Sequence, residues 1–187
     1  MNRAEWLRAG FGSLVAASVL ALASVSSAAD GWVTLPYAPF QLAIAPGGGQ
    51  IFSKATPIHG LRVSVLYGIQ SKVVGLDAGL FNQTDSMIGI GVGLCNVTRG
   101  NGAGIQLGAG CSDVEGDFVG IQAGLFNQVR SQLSGLQVGL ANGAEAGTGL
   151  MIGLVNRSES MRGLQIGVLN WNKNGFLPLF PIFNFGF

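Results

Sequence analysis

The sequence predicts an all-β protein built as a β-solenoid of about seven to eight coils, each 14–16 residues long. Three observations predict it: a tandem repeat, a period-two alternation inside every copy, and the absence of Pro between Pro57 and Pro178. The repeat reads Gly, apolar, variable, apolar, Gly, apolar, variable, and usually Asn. Position 1 is Gly75, Gly89, Gly104, Gly120, Gly135, Gly149 and Gly163, at spacings of 14, 15, 16, 15, 14 and 14. Position 5 is Gly79, Gly93, Gly108, Gly124, Gly139, Gly153 and Gly167. Position 8 is Asn82, Asn96, Asn127, Asn142, Asn156 and Asn170, with Cys111 in that place in the third copy. A worn first copy starts at Gly60 and keeps Leu61, Val63 and Val65.

Each element follows from local chemistry. Even positions are apolar, as in Ile121, Ala123 and Leu125, and strict alternation marks a strand with one buried face. The expectation is therefore that Leu125 and its equivalents point into the core, with the glycines on the other face. Pro cannot donate to a ladder, so a Pro-free stretch suits continuous pairing. A seven-residue strand with one apolar face cannot stand alone. Stacked coils about 4.8 Å apart would bury it. A small antiparallel outer-membrane β-barrel is the alternative, with one strand and one turn per copy. The even period favours the coil, because such barrels alternate short turns with long loops. Val129, Ser131 and Leu133 suggest a second, return strand within a coil.

Four segments result. Residues 1–29 read as a signal peptide: Arg3 and Arg8, an apolar run from Phe11 to Ala23, then small residues up to Ala29. That run of about 13 residues falls short of the ~20 a spanning helix needs. Residues 30–59 form an entry segment or N-terminal cap, 60–175 the tandem repeats, and 176–187 an aromatic cap. Gly supplies 31 of 187 residues and charged residues only 10%, which excludes a disordered chain. A net charge of +1 leaves no basic field for nucleic acid.

With the repeat laid out, the chain resembles exported bacterial proteins known as surface repeat-containing proteins, which carry tandem Gly-Leu-Gln-Ile-Gly-Leu-x-Asn units. Gly120-Ile121-Gln122-Ala123-Gly124-Leu125-Phe126-Asn127 and Gly163-Leu164-Gln165-Ile166-Gly167-Val168-Leu169-Asn170 carry the resemblance. Pro39-Phe40-Gln41-Leu42 looks like that family's entry, and Leu177-Pro178-Leu179-Phe180-Pro181-Ile182-Phe183-Asn184-Phe185 like its ending. The resemblance implies a signal peptide and an address at the bacterial cell surface or outer membrane. It offers no catalytic residues.

Candidate sites are few. Gln106, Gln122, Gln137 and Gln165 share position 3, on the face expected to point away from the core. They would form a flat polar stripe for glycan or another envelope component, or else amide ladders that stabilise stacked strands. Asp113, Glu115 and Asp117 alternate, so an extended segment would turn all three one way, toward Ca²⁺ or toward solvent. Cys95 and Cys111 sit in adjacent copies at positions 7 and 8. They would bond only if a bulge in the third copy brought them together. His59 stands without a nucleophile or orienting acid nearby in the sequence. The sequons at Asn82, Asn96 and Asn156 coincide with ladder residues and read as chance. Position 7 is often apolar (Phe81, Phe126, Val155, Leu169), an outer stripe that a soluble solenoid would have to cover. These features predict a non-enzymatic exported protein, structural or adhesive, without a cofactor. The barrel alternative would instead serve as a pore or envelope component.

Overall fold

The computed structural model describes residues 36–45 and 48–187; the signal-peptide reading of residues 1–29 lies outside them. The chain is a β-solenoid, not a barrel. Its elements are β1 (Ala38–Ala45), β2 (Gly48–Gln50), β3 (Ile58–Thr98), β4 (Gly102–Val114), β5 (Phe118–Val138), β6 (Ala141–Ile152), β7 (Val155–Asn172) and β8 (Leu179–Gly186). The strands neighbour one another in the order β2-β1-β3-β4-β5-β6-β7-β8. β1 to β7 pair parallel, β1 with β3 and then in succession; β2 and β8 pair antiparallel at the two ends. The pairings between separate strands make about five turns. The 41-residue β3 carries further coils within itself, since Gly75 stacks on Gly60 and Gly89 on Gly75.

Register follows the repeat. Gly89 pairs with Gly104, Gly104 with Gly120, Gly135 with Gly149 and Gly149 with Gly163. The backbone approach at this row is what demands glycine. Gly120 has φ 139° and Gly135 φ 147°, and a Cβ at either would collide with the carbonyl oxygen of the glycine below it.

The two faces of the strand are the reverse of the sequence expectation. Leu125 is 45% exposed and Val168 62%, whereas Gln106, Gln122, Gln137 and Gln165 are 0% exposed. The core therefore holds position 3, the Asn row, and the position two residues after each Asn (Thr84, Thr98, Val129, Ser158). It also holds the residue two places before the next glycine, as in Val73, Met87, Phe118, Leu133 and Met161. The physical reason is width. A coil of 14–16 residues is too narrow for Leu at every second site. Glycines at positions 1 and 5 leave room inside for one amide at position 3 and for the Asn side chain that folds back beside position 5. At Gly139, an added Cβ would press on the Asn127 amide nitrogen. The return strand is present, with Val129 and Leu133 in the main apolar cluster alongside Val114, Phe118, Ala144, Met151 and Met161.

Both ends are closed by antiparallel strands, which blunt the open edges that parallel coils leave. At the C-terminal end β8 covers β7, and Phe176 stacks on Phe185 with ring centroids 5.0 Å apart.

Candidate binding surface

Two ladders of amides line the interior. Asn127 Nδ2 donates to Asn142 Oδ1 (2.9 Å), Asn142 to Asn156 (2.9 Å) and Asn156 to Asn170 (2.8 Å). The same nitrogens donate to backbone carbonyls, as Asn142 does to Ile152 at 2.8 Å. In the second ladder Gln122 Nε2 donates to Gln106 Oε1 (2.9 Å) and Gln137 Nε2 to Gln122 Oε1 (2.8 Å). Of the two readings of the Gln row, the ladder is what the structure contains. A stripe that meets glycan is not, because these side chains are closed off from solvent. The sequon Asn side chains are closed off in the same way.

The third copy bends the pattern. Strand register shifts between Gly93 and Cys95 and again between Gly108 and Cys111, so Cys95 pairs with Cys111 and the two form a disulfide. One extra residue makes the bulge that joins them. It also corrects the Asn row: Ser112, not Cys111, stands between Asn96 and Asn127. There the ladder breaks, and Ser112 Oγ and Asn127 Oδ1 are buried without a hydrogen-bond partner.

Asp113, Glu115 and Asp117 do not share a face. Asp113 is buried and its Oδ2 accepts from Arg130 Nη2 at 2.6 Å. Glu115 is exposed, and Asp117 accepts from Ser131 Oγ at 2.6 Å and from the Gln132 amide at 3.1 Å. Those two bonds hold the Asp117 carboxyl below its ordinary range. The turn at Gly116 breaks the alternation that would have aligned the three acids. Among the described residues no three His, Cys, Asp or Glu side chains are gathered to hold a metal.

Sequence reasoning missed one buried charged pair. Arg62 Nε donates to Asp77 Oδ1 at 2.6 Å, Arg62 Nη2 bonds Asp77 Oδ2, and Arg62 Nη1 donates to the Gln83 carbonyl at 3.2 Å. Both side chains are 1% exposed. Burial pushes the Asp77 carboxyl above its usual range, against the pull of Arg62. A signal existed: both residues occupy position 3, in successive copies, so stacking in register must join them.

The outside of the coil is divided. Positions 2, 4, 6 and 7 of all eight copies from Gly60 onward carry no charged side chain and no polar group to hydrogen-bond. They form one sheet face and its adjoining corner, with rows such as Leu80, Leu94, Leu125, Leu140, Leu154 and Val168 exposed along the axis. The backbone links these coils directly, Leu140 N to Leu125 O and Leu154 N to Leu140 O, both at 2.9 Å. The position three residues after each Asn (after Ser112 in the third copy) is instead charged from Gly75 on: Asp85, Arg99, Glu115, Arg130, Glu145, Glu159 and Lys173. The fold and this division define an amphipathic β-solenoid, with amide ladders and an apolar cluster within, apolar on one outer face and charged on another. No family model, no curated protein and no solved structure matches the chain. Among the described residues no helix is long and apolar enough to cross a membrane.

Proposed function

We propose that this is a non-enzymatic exported protein of the surface repeat-containing kind, held at the bacterial cell surface or outer membrane in a structural or adhesive role. The observation that carries the reading is the uncharged apolar face. Monomeric soluble proteins rarely expose contiguous apolar patches beyond about 300–600 Å², and a face this large marks a surface that works by contact. The leader-like residues 1–29 and the Gly-x-Gln-x-Gly repeats support the envelope address. Contact with envelope components would be made by the exterior of the coil, because the Gln residues expected to make it are buried. The alternative role as a pore rested on a closed barrel, and the chain is not one.

Fractionation tests the proposal. The full chain, followed by a C-terminal tag in a Gram-negative host, should arrive in the envelope shortened by the leader. It should leave the membrane in carbonate or urea. Full-length protein retained in the cytoplasm would overturn the export reading. Protein that resists both washes would overturn the peripheral one.

A further inference from the structure

The charged side of the solenoid is already solvated, and the apolar side needs a cover. Its dimensions follow from strand geometry: seven residues at about 3.3 Å give a width of about 23 Å, and eight coils at about 4.8 Å a length of about 38 Å. About twenty side chains on it and its adjoining corner are half-exposed, over a footprint of about 870 Å² by those dimensions. A stable interface takes about 800 Å² from each partner. The area is that of a stable dimer. We infer that the cover is a second copy of this chain, packed face to face through the Leu, Ile and Val rows at positions 2, 4 and 6. This rests on the reading of that face as a contact surface, not on where the protein resides.

Three observations favour a second copy over lipid. The side chains of the face repeat in register at the coil spacing, so a second identical face matches it row for row. Sheets pack in this way about 10 Å apart, and a two-fold pair uses the same patch on both subunits. Next, a β surface resting in lipid is flanked by Trp and Tyr at the interface. Here positions 2, 4, 6 and 7 contain neither; of the described Trp and Tyr residues, Tyr67 is buried at position 8 of the first copy, Tyr37 precedes the repeats and Trp171 follows the last Asn. Finally, the charged row holds four acids and three bases, without the basic excess that draws a helix or sheet to anionic headgroups.

The experiment is the mass of the full chain in detergent-free buffer at physiological salt, by light scattering after size exclusion, joined to site-specific cross-linking. Wild type should be a dimer. Leu125→Asp combined with Ile152→Asp should be a monomer with unchanged β-type circular dichroism. For cross-linking, Leu107→Cys sits at mid-strand near the middle of the coil stack and should join two chains through a short bis-maleimide. Glu145→Cys, on the charged row, should not. A soluble wild-type monomer, an open-ended assembly, or protein that enters solution only with detergent or lipid would each overturn the inference. So would equal cross-linking at the two sites, even if the double variant failed to fold. None of these results bears on export, so the two proposals fail separately.

Discussion

The Gln ladder stops one coil short of its end, and completing it should stabilise the protein. Gln137 pairs in register with Met151, and Met151 with Gln165. Gln137 Oε1 is consequently buried without a partner, and Gln165 Nε2 reaches only the Met151 sulfur, at 3.5 Å, and the Trp171 carbonyl, at 3.3 Å. In Met151→Gln the new amide nitrogen would donate to Gln137 Oε1, and its oxygen would accept from Gln165 Nε2. Gln and Met are close in length and volume, so the packing around Leu133 and Met161 is kept. Two net hydrogen bonds contribute about 1–3 kcal/mol, and relief of one orphaned acceptor about 1–3 more. Loss of a buried thioether and methyl costs about 1.5–3 kcal/mol. The midpoints balance to a gain of about 2 kcal/mol, or about 4–8 °C in Tm for a chain of this size. Chemical denaturation by urea, followed at the β band of circular dichroism, measures it. Met151→Leu, which restores no amide, is the control and should not raise the midpoint. A midpoint for Met151→Gln at or below that of Met151→Leu would refute the account of the ladder.

Three further outcomes follow from the same geometry. Gln122→Leu strands Gln106 Oε1 and removes a bond from Gln137, so it should cost about 2–4 kcal/mol; Leu125→Asp, on the outer face, should leave the monomer fold and protease resistance intact. Arg62→Met should cost about 3–5 kcal/mol by leaving Asp77 unpaired, while Arg62→Met with Asp77→Leu should be neutral or better, both read from denaturation midpoints. The sign with pH is definite. Arg62 holds the raised pKa of Asp77 down, so without it the carboxyl pKa rises further above 3.8, and the Arg62→Met deficit should shrink as pH falls through the variant's own raised pKa and Asp77 takes up a proton. Reducing the Cys95–Cys111 disulfide, or Cys95→Ser, should cost about 3 kcal/mol, the loop-closure value for a 16-residue separation, visible as a lower Tm in reductant.

The architecture was legible because stacking in register makes every copy repeat its neighbour. The 14–16-residue period, the absence of Pro and the fading first copy at Gly60 all follow from parallel coils, and the return strand showed in Val129 and Leu133. The disulfide was legible as a condition, since only a bulge could turn Cys95 and Cys111 together, and the bulge is there. The faces were misread because Leu125 and Gln122 were ranked by hydrophobicity alone. In a wide sheet that ranking decides which side is buried. In a coil this narrow, steric room decides first, and the clue was that Gly120 and Gly124 share a side with Gln122. Met87, Phe118, Leu133 and Met161, each two places before a glycine, fall on that same side and mark it as the interior. The acids at 113, 115 and 117 were misaligned for a local reason. The turn at Gly116 ends the strand between the first and the third, and alternation has no meaning across it.

An interior of amides and an exterior of Leu changes what holds this protein together. Amide ladders and parallel backbone bonds supply direction and register, yet each is worth only about 1 kcal/mol net, because the unfolded chain bonds to water instead. Apolar burial, at about 25 cal/mol per Å², is what stabilises most folded proteins, and a single chain here realises only part of it. The cluster from Val114 to Met161 gathers some, and the outer rows remain half in water. Closing two such faces on each other would bury those rows and shift the balance toward the folded state by mass action, as in obligate dimers whose stability depends on protein concentration. The arrangement that defeats the simple sequence rule thus lets assembly add stability to a coil that folds alone. In the proposed pair, the apolar residues expected in the core would form a second one between two chains.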